Sequence, residues 1–216
     1  MSFLSPKEKQ LLCEWSRLIV YFFGLIGIVV GIWYLADFFE RDTFSENGII
    51  ENTQCIVLGI AALVFGWTAY QFKSHRPLLL GLMSLCLLGI CREQDAWFDE
   101  TLPILSWRIG FILPTLALCN GLRDIKSCKR QLMHFLSMPA SYIMYCAMLV
   151  IVPLAQCLGH KALILAVVEP DNVYLARGVR RLVEESAEFL GYILILIAAI
   201  ELYLNIKSIL THSSKS

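Results

Sequence analysis

Two short charged motifs stand where a long apolar chain would be expected to stay apolar. Arg92-Glu93-Gln94-Asp95 closes one uncharged run, and Glu184-Glu185-Ser186-Ala187-Glu188-Phe189-Leu190-Gly191-Tyr192 opens another. Ionisable groups inside a bilayer are costly, need partners and mark pathways for ions or protons. Glu93, Asp95 and Glu188 are therefore the candidate ligands or proton carriers, with Arg92 and Arg108 as counter-charges that tune them. Glu184, Glu188 and Tyr192 follow at intervals of four and share one helix face. Arg180 and Arg181 stand four residues before Glu184 and Glu185, so pairing within the helix is also available. Arg108 has no acidic neighbour within its own apolar run, so Glu93 or Glu188 of another helix is its expected partner. Carboxylates outnumber arginines in this layer, which favours a cation or proton over an anion as the ligand.

Depth makes the first motif informative. Counting from Pro77, only 15 uncharged residues precede Arg92. At about 1.5 Å per residue they reach roughly 22 Å, short of the ~30 Å hydrocarbon core. A spanning helix would thus hold Arg92 and Glu93 below the far membrane surface.

The elements that must carry these groups are membrane helices. Hydrophobic residues make up 57% of the 216 and charged residues 17%, with a mean hydropathy of +0.65. A soluble domain holds about a quarter charged residues. The reading is an all-α polytopic bundle forming a single membrane domain, residues 1–216, in the cell inner membrane. Six spans are expected, over 18–39, 52–72, 77–96, 103–122, 138–159 and 187–206. Ser5-Pro6-Lys7-Glu8 is a capping box with proline at the first helical position, so a short surface helix is expected before the first span. Pro114 is an expected kink, and Pro153 lies near the end of the fifth span. Residues 160–186 form an outer loop containing an amphipathic helix, with Val173, Ala176, Val179, Leu182 and Val183 at helical spacing. That helix is expected to continue into the sixth span.

Basic residues set the orientation. With both termini cytoplasmic, 11 of the 18 Lys and Arg fall inside but only 4 of the 18 Asp and Glu. The segment Arg123–Arg130 is the most basic cytoplasmic stretch and a candidate dock for a cytoplasmic protein or anionic lipid. Glu201, near the inner end of the last span, reads as a snorkelling interfacial carboxylate. The formal net charge is zero, so nothing points to nucleic acid. Eight cysteines show no Cys-x-x-Cys pair and behave as small apolar residues. No cofactor is expected.

Arg-Glu-x-Asp at a span end, with Glu-Glu-Ser-x-Glu-Phe-Leu-Gly-Tyr opening a late span, resembles a pattern in multi-pass bacterial inner-membrane proteins of no assigned activity. It covers about twenty residues and implies a location, not a reaction. Membrane hydrolases of the alkaline ceramidase type also distribute acids over several helices, but bind zinc through histidines. Here three of the four histidines, His75, His134 and His212, are assigned inside and only His160 outside, so a histidine-rich zinc site is not expected. Walker A, Gly-x-Ser-x-Gly and His-Glu-x-x-His motifs are absent. The expected roles, in order, are cation or proton binding or transport, a non-catalytic sensor or scaffold, and a carboxylate- and metal-dependent lipid-modifying enzyme.

Overall fold

The computed structural model describes residues 6–39, 48–94, 112–121, 125–166 and 173–213, and every regular element among them is helical. The chain divides into two compact units, Met1–Thr43 and Phe44–Ser216. The first contains α1, Pro6–Phe39. Its 34 residues run without a break, so the separate surface helix expected before residue 18 is replaced by one continuous rod. Nothing in that stretch breaks a helix: it contains no internal proline, and Ala, Leu, Glu and Lys favour the conformation.

The second unit is built from α2 (Ile49–Gln71), α3 (Arg76–Glu93), α4 (Ile112–Gly121), α5 (Ile125–Leu136), α6 (Pro139–Leu158), α7 (Lys161–Leu165) and α8 (Val173–Ser213). α8 packs against both α2 and α6, α2 against α3, and α3 against α4. Among the described residues, five helices are long and apolar enough to cross a membrane, within Leu11–Tyr34, Ile49–Gln71, Lys73–Glu93, Pro139–Leu158 and Tyr174–Ile209. The expected fourth span, 103–122, falls mostly outside the described residues. Its described part, α4, has ten residues and includes Pro114, whose expected kink involves residues before 112, outside the described ones.

α8 is one helix of 41 residues, Val173–Ser213, about 60 Å long, so the helix expected after residue 172 does run on unbroken through residues 187–206. One further element differs from expectation. The basic stretch after residue 124 is not a loop. Lys126, Lys129 and Arg130 lie on α5, an amphipathic helix that buries Gln131 and Phe135 and exposes Leu132 and Met133.

Helix periodicity explains the packing. α2 buries Ile50, Gln54, Leu58, Ala61, Phe65, Thr68 and Ala69, a single face. The hydroxyls on such faces are satisfied within their own helices. Thr68 Oγ1 donates to the Val64 carbonyl at 2.6 Å, and Ser84 Oγ to that of Leu80 at 2.7 Å. α6 buries Ala147, Ile151, Ala155 and Gly159 just beyond its end, at intervals of four. An α-helix drifts about 40° over each such interval. A π turn over Val150–Leu154, containing Pro153, absorbs the drift. Opposite it, α8 approaches so closely that a Cβ on Gly191 would lie 2.2 Å from Ile151 Cγ1. Only glycine allows this crossing.

Helix directions follow from contacts at both ends. Gln54 and Phe72 of the α2 segment meet Glu185 and Tyr203 of α8, so α2 and α8 run parallel. α3 is antiparallel to α2, since Gln94 meets Cys55 while Met83 lies beside Gly66, and α6 is antiparallel to α8, since Gln156 reaches Glu188 while Ile151 and Ala147 lie beside Gly191.

Candidate functional site

The carboxylate-bearing end of the second unit gathers side chains from α2, α3, α6 and α8. Arg92 Nη2 lies 2.6 Å from Glu188 Oε1 and 3.6 Å from Glu93 Oε1. Tyr192 donates its hydroxyl to Glu93 Oε1 at 2.5 Å, a charge-assisted bond of the short kind. The Glu188 side chain is 1% exposed and that of Glu93 5%, whereas the Arg92 side chain is 47% exposed. Gln156 donates to Glu188 Oε1 at 3.2 Å and to Glu184 Oε1 at 3.5 Å. Gln54 donates through Nε2 to both Glu185 Oε2 and the Glu185 carbonyl at 3.1 Å. Gln94, which caps α3, donates to Asn52 Oδ1 at 3.5 Å and Cys55 Sγ at 3.3 Å, fastening α3 to α2.

Three of these acids converge. Glu93, Glu185 and Glu188 each offer a carboxylate oxygen, and the three oxygens lie within 4.8 Å of one another. At an effective dielectric of about 20, two unit charges at that separation repel by roughly 3 kcal/mol. Arg92 pairs with two of them, Glu188 and Glu93. Buried charge of this kind needs compensation. The donor set is hard oxygen, suited to a cation of the calcium or magnesium kind or to protons. Beside it, the Gln54 side chain is fully buried, and its carbonyl oxygen has no hydrogen-bond partner among the described residues. An orphaned buried acceptor is uncommon, and this one belongs to the amide already bonded to Glu185.

Five of the seven residues singled out in the sequence lie among the described residues, and the structure brings four of them into one network. Arg92, Glu93, Glu188 and Tyr192 are directly linked. Glu184 stands at its edge, paired with Arg180 Nε at 3.3 Å. Gly159 leaves it room, since a Cβ there would lie 2.8 Å from Glu184 Oε2. Asp95 and Arg108 fall outside the described residues. Arg92 supplies a guanidinium to Glu188. Glu185, Gln54 and Gln156 join the network without having been singled out. Gln54 carried a signal, an amide in an otherwise apolar span. Glu185 was overlooked because Glu184 fits the intrahelical spacing to Glu188 better. Glu201, expected to snorkel, is instead 7% exposed, because the buried face of α8 continues past it to Leu202 and Ile206.

No protein-family model, curated protein or solved structure matches this chain.

Proposed function

We propose that the chain is a six-span protein of the bacterial inner membrane, with both termini cytoplasmic, that binds and moves a hard cation, or protons in its place, at Glu93, Glu185 and Glu188. The observation that carries this reading is the approach of three carboxylate oxygens within 4.8 Å, next to a buried carbonyl without a partner. Arg92 is the counter-charge that limits the site to a net demand for positive charge, and Tyr192 positions Glu93. The sixth span has independent support. α3 ends at the carboxylates, whereas His134 of α5 meets His75 just before α3 begins. The described residues on either side of this connection thus lie at opposite ends of the unit, which supports a further span between them. Orientation rests on the distribution of basic residues.

Cation or proton flux in proteoliposomes, compared between wild type and Glu188→Gln, tests the transport function. Flux above empty vesicles that falls in the variant is expected. Identical flux in both, or none above empty vesicles, sinks it.

A second reading is favoured by α5. Its Lys126, Lys129 and Arg130, beside exposed Leu132, Met133 and Leu136, suit a sensor or scaffold that docks a cytoplasmic protein or anionic lipid. Reversing these charges should then abolish partner capture while leaving flux unchanged.

A further inference from the structure

The opposite end of the second unit holds a polar cavity that the carboxylate site does not use. It measures about 340 Å³ and lies between the 3₁₀ turn Lys73–His75 and α5, lined by Ser74, His75, Ser127, Arg130, Gln131 and His134. Its chemistry is the reverse of the other end: no carboxylate lines it among the described residues. Arg130 is permanently cationic. The rings of His75 and His134 lie 5.6 Å apart, centroid to centroid, inclined at 38°. Two proton-accepting rings thus flank the same space as a fixed guanidinium.

The hydroxyl of Ser74 lies 3.0 Å from His75 Nδ1. This pair presents a donor whichever way the proton is arranged. If Ser74 donates to Nδ1, the ring carries its hydrogen on Nε2. If Nδ1–H donates to Ser74, the hydroxyl hydrogen is released. A protonated ring offers both. Gln131 is structural rather than a ligand. It is 7% exposed, accepts from the Leu78 amide at 3.1 Å and donates to Ser127 Oγ at 2.9 Å, holding α5 against the start of α3. A zinc site is a poor alternative, since two imidazoles fall short of the three or four ligands that zinc takes.

We propose that this cavity binds a phosphate monoester. Its dianion presents several acceptor oxygens to a guanidinium, two imidazoles and a hydroxyl that converge from two elements, and the volume lies within the range of ligand pockets. The same group is carried by soluble phosphorylated metabolites and by phosphatidic acid in the bilayer. The lipid source would extend the docking reading of α5. The soluble source is independent of both functional readings.

The test uses the full chain in nanodiscs of phosphatidylcholine. Calorimetric titration with inorganic phosphate examines the soluble source, and native mass spectrometry of nanodiscs doped with phosphatidic acid examines the lipid source. Binding in either arm is expected to weaken about tenfold or more in Arg130→Gln, the loss of one charge-assisted hydrogen bond, and to recover in part in Arg130→Lys. His134→Gln should weaken it as well. Glu188→Gln, at the other end, should bind as wild type does, so failure here is distinguishable from failure of the cation site. Saturation by inorganic phosphate assigns a soluble monoester, and retention of phosphatidic acid alone assigns the lipid. Absence of binding in both arms, or equal binding by wild type, Arg130→Gln and His134→Gln, overturns the proposal.

Discussion

Arg92 and Glu188, on different helices and 96 positions apart in sequence, meet at 2.6 Å with the carboxylate almost wholly enclosed and the guanidinium half open. The arrangement ties α3 to α8 at the depth where Glu93 and Glu185 also arrive. Stability and the proposed ligand binding would therefore be coupled through one ion pair.

Arg92→Leu should strand the buried carboxylate of Glu188. Removing one partner of a buried pair costs about 3–5 kcal/mol, and the open side of Arg92 places this case toward the low end. Adding Glu188→Gln should recover most of the loss. Denaturant unfolding of both single variants and the double variant measures this coupling; strictly additive losses would show that the pair contributes nothing.

Gln54→Leu separates ligand binding from folding. The substitution removes the amide bonded to Glu185 together with its orphaned carbonyl, two changes of opposite sign for the empty protein. Thermal stability without added cation should move by less than about 1 kcal/mol. Affinity for a hard divalent cation, measured by calorimetry, should fall about tenfold with the loss of one oxygen ligand. Unchanged affinity would remove Gln54 from the site.

Tyr192→Phe deletes the hydroxyl that donates to Glu93. The expected cost is about 1.5–3 kcal/mol, the value of a hydrogen bond to a charged group. A melting temperature equal to that of wild type would show that Glu93 finds an equivalent donor elsewhere.

Gly191→Ala should be disproportionately damaging for so small a change. Its Cβ would lie 2.2 Å from Ile151 Cγ1 and 3.3 Å from the Ala147 carbonyl, forcing α8 from α6 at a cost of about 1–3 kcal/mol. Ile151→Ala in the same chain should restore part of that loss. Failure of the double variant to gain over Gly191→Ala would place the strain at the Ala147 backbone instead.

Orientation is open to a direct measurement. In a cysteine-free background, Tyr174→Cys and Lys129→Cys introduce thiols at exposed positions on α8 and α5. A membrane-impermeant maleimide applied to intact cells should label the first and reach the second only after permeabilisation. The reverse pattern would invert the topology.

Much of the architecture was legible because long uncharged runs have few other uses. The regular spacing from Val173 to Val183 anticipated a helix running on into the last span. Partner choice was not legible in the same way. Arg92 and Glu93 are adjacent, so they point about 100° apart around α3, and only packing brings both to α8, Arg92 to Glu188 and Glu93 to Tyr192. Spacing within α8 favoured Glu184 as the companion of Glu188. In the folded chain Glu184 turns toward Arg180 and Gln156, while Glu185 lies over Gln54. Intrahelical periodicity states which residues share a face, but not which neighbour occupies that side. Glu201 illustrates the same limit, since its burial depends on how far α8 remains covered.

The unbroken length of α8 gives small events at the carboxylates a long reach. Glu188 stands 25 residues from the C-terminal end of the rod at Ser213, about 37 Å by helical rise. Pivoting the rod by roughly 5° near Glu188 would sweep its far tip through about 3 Å. Loading or emptying the pocket would thus be felt as leverage at the remote end of the same helix.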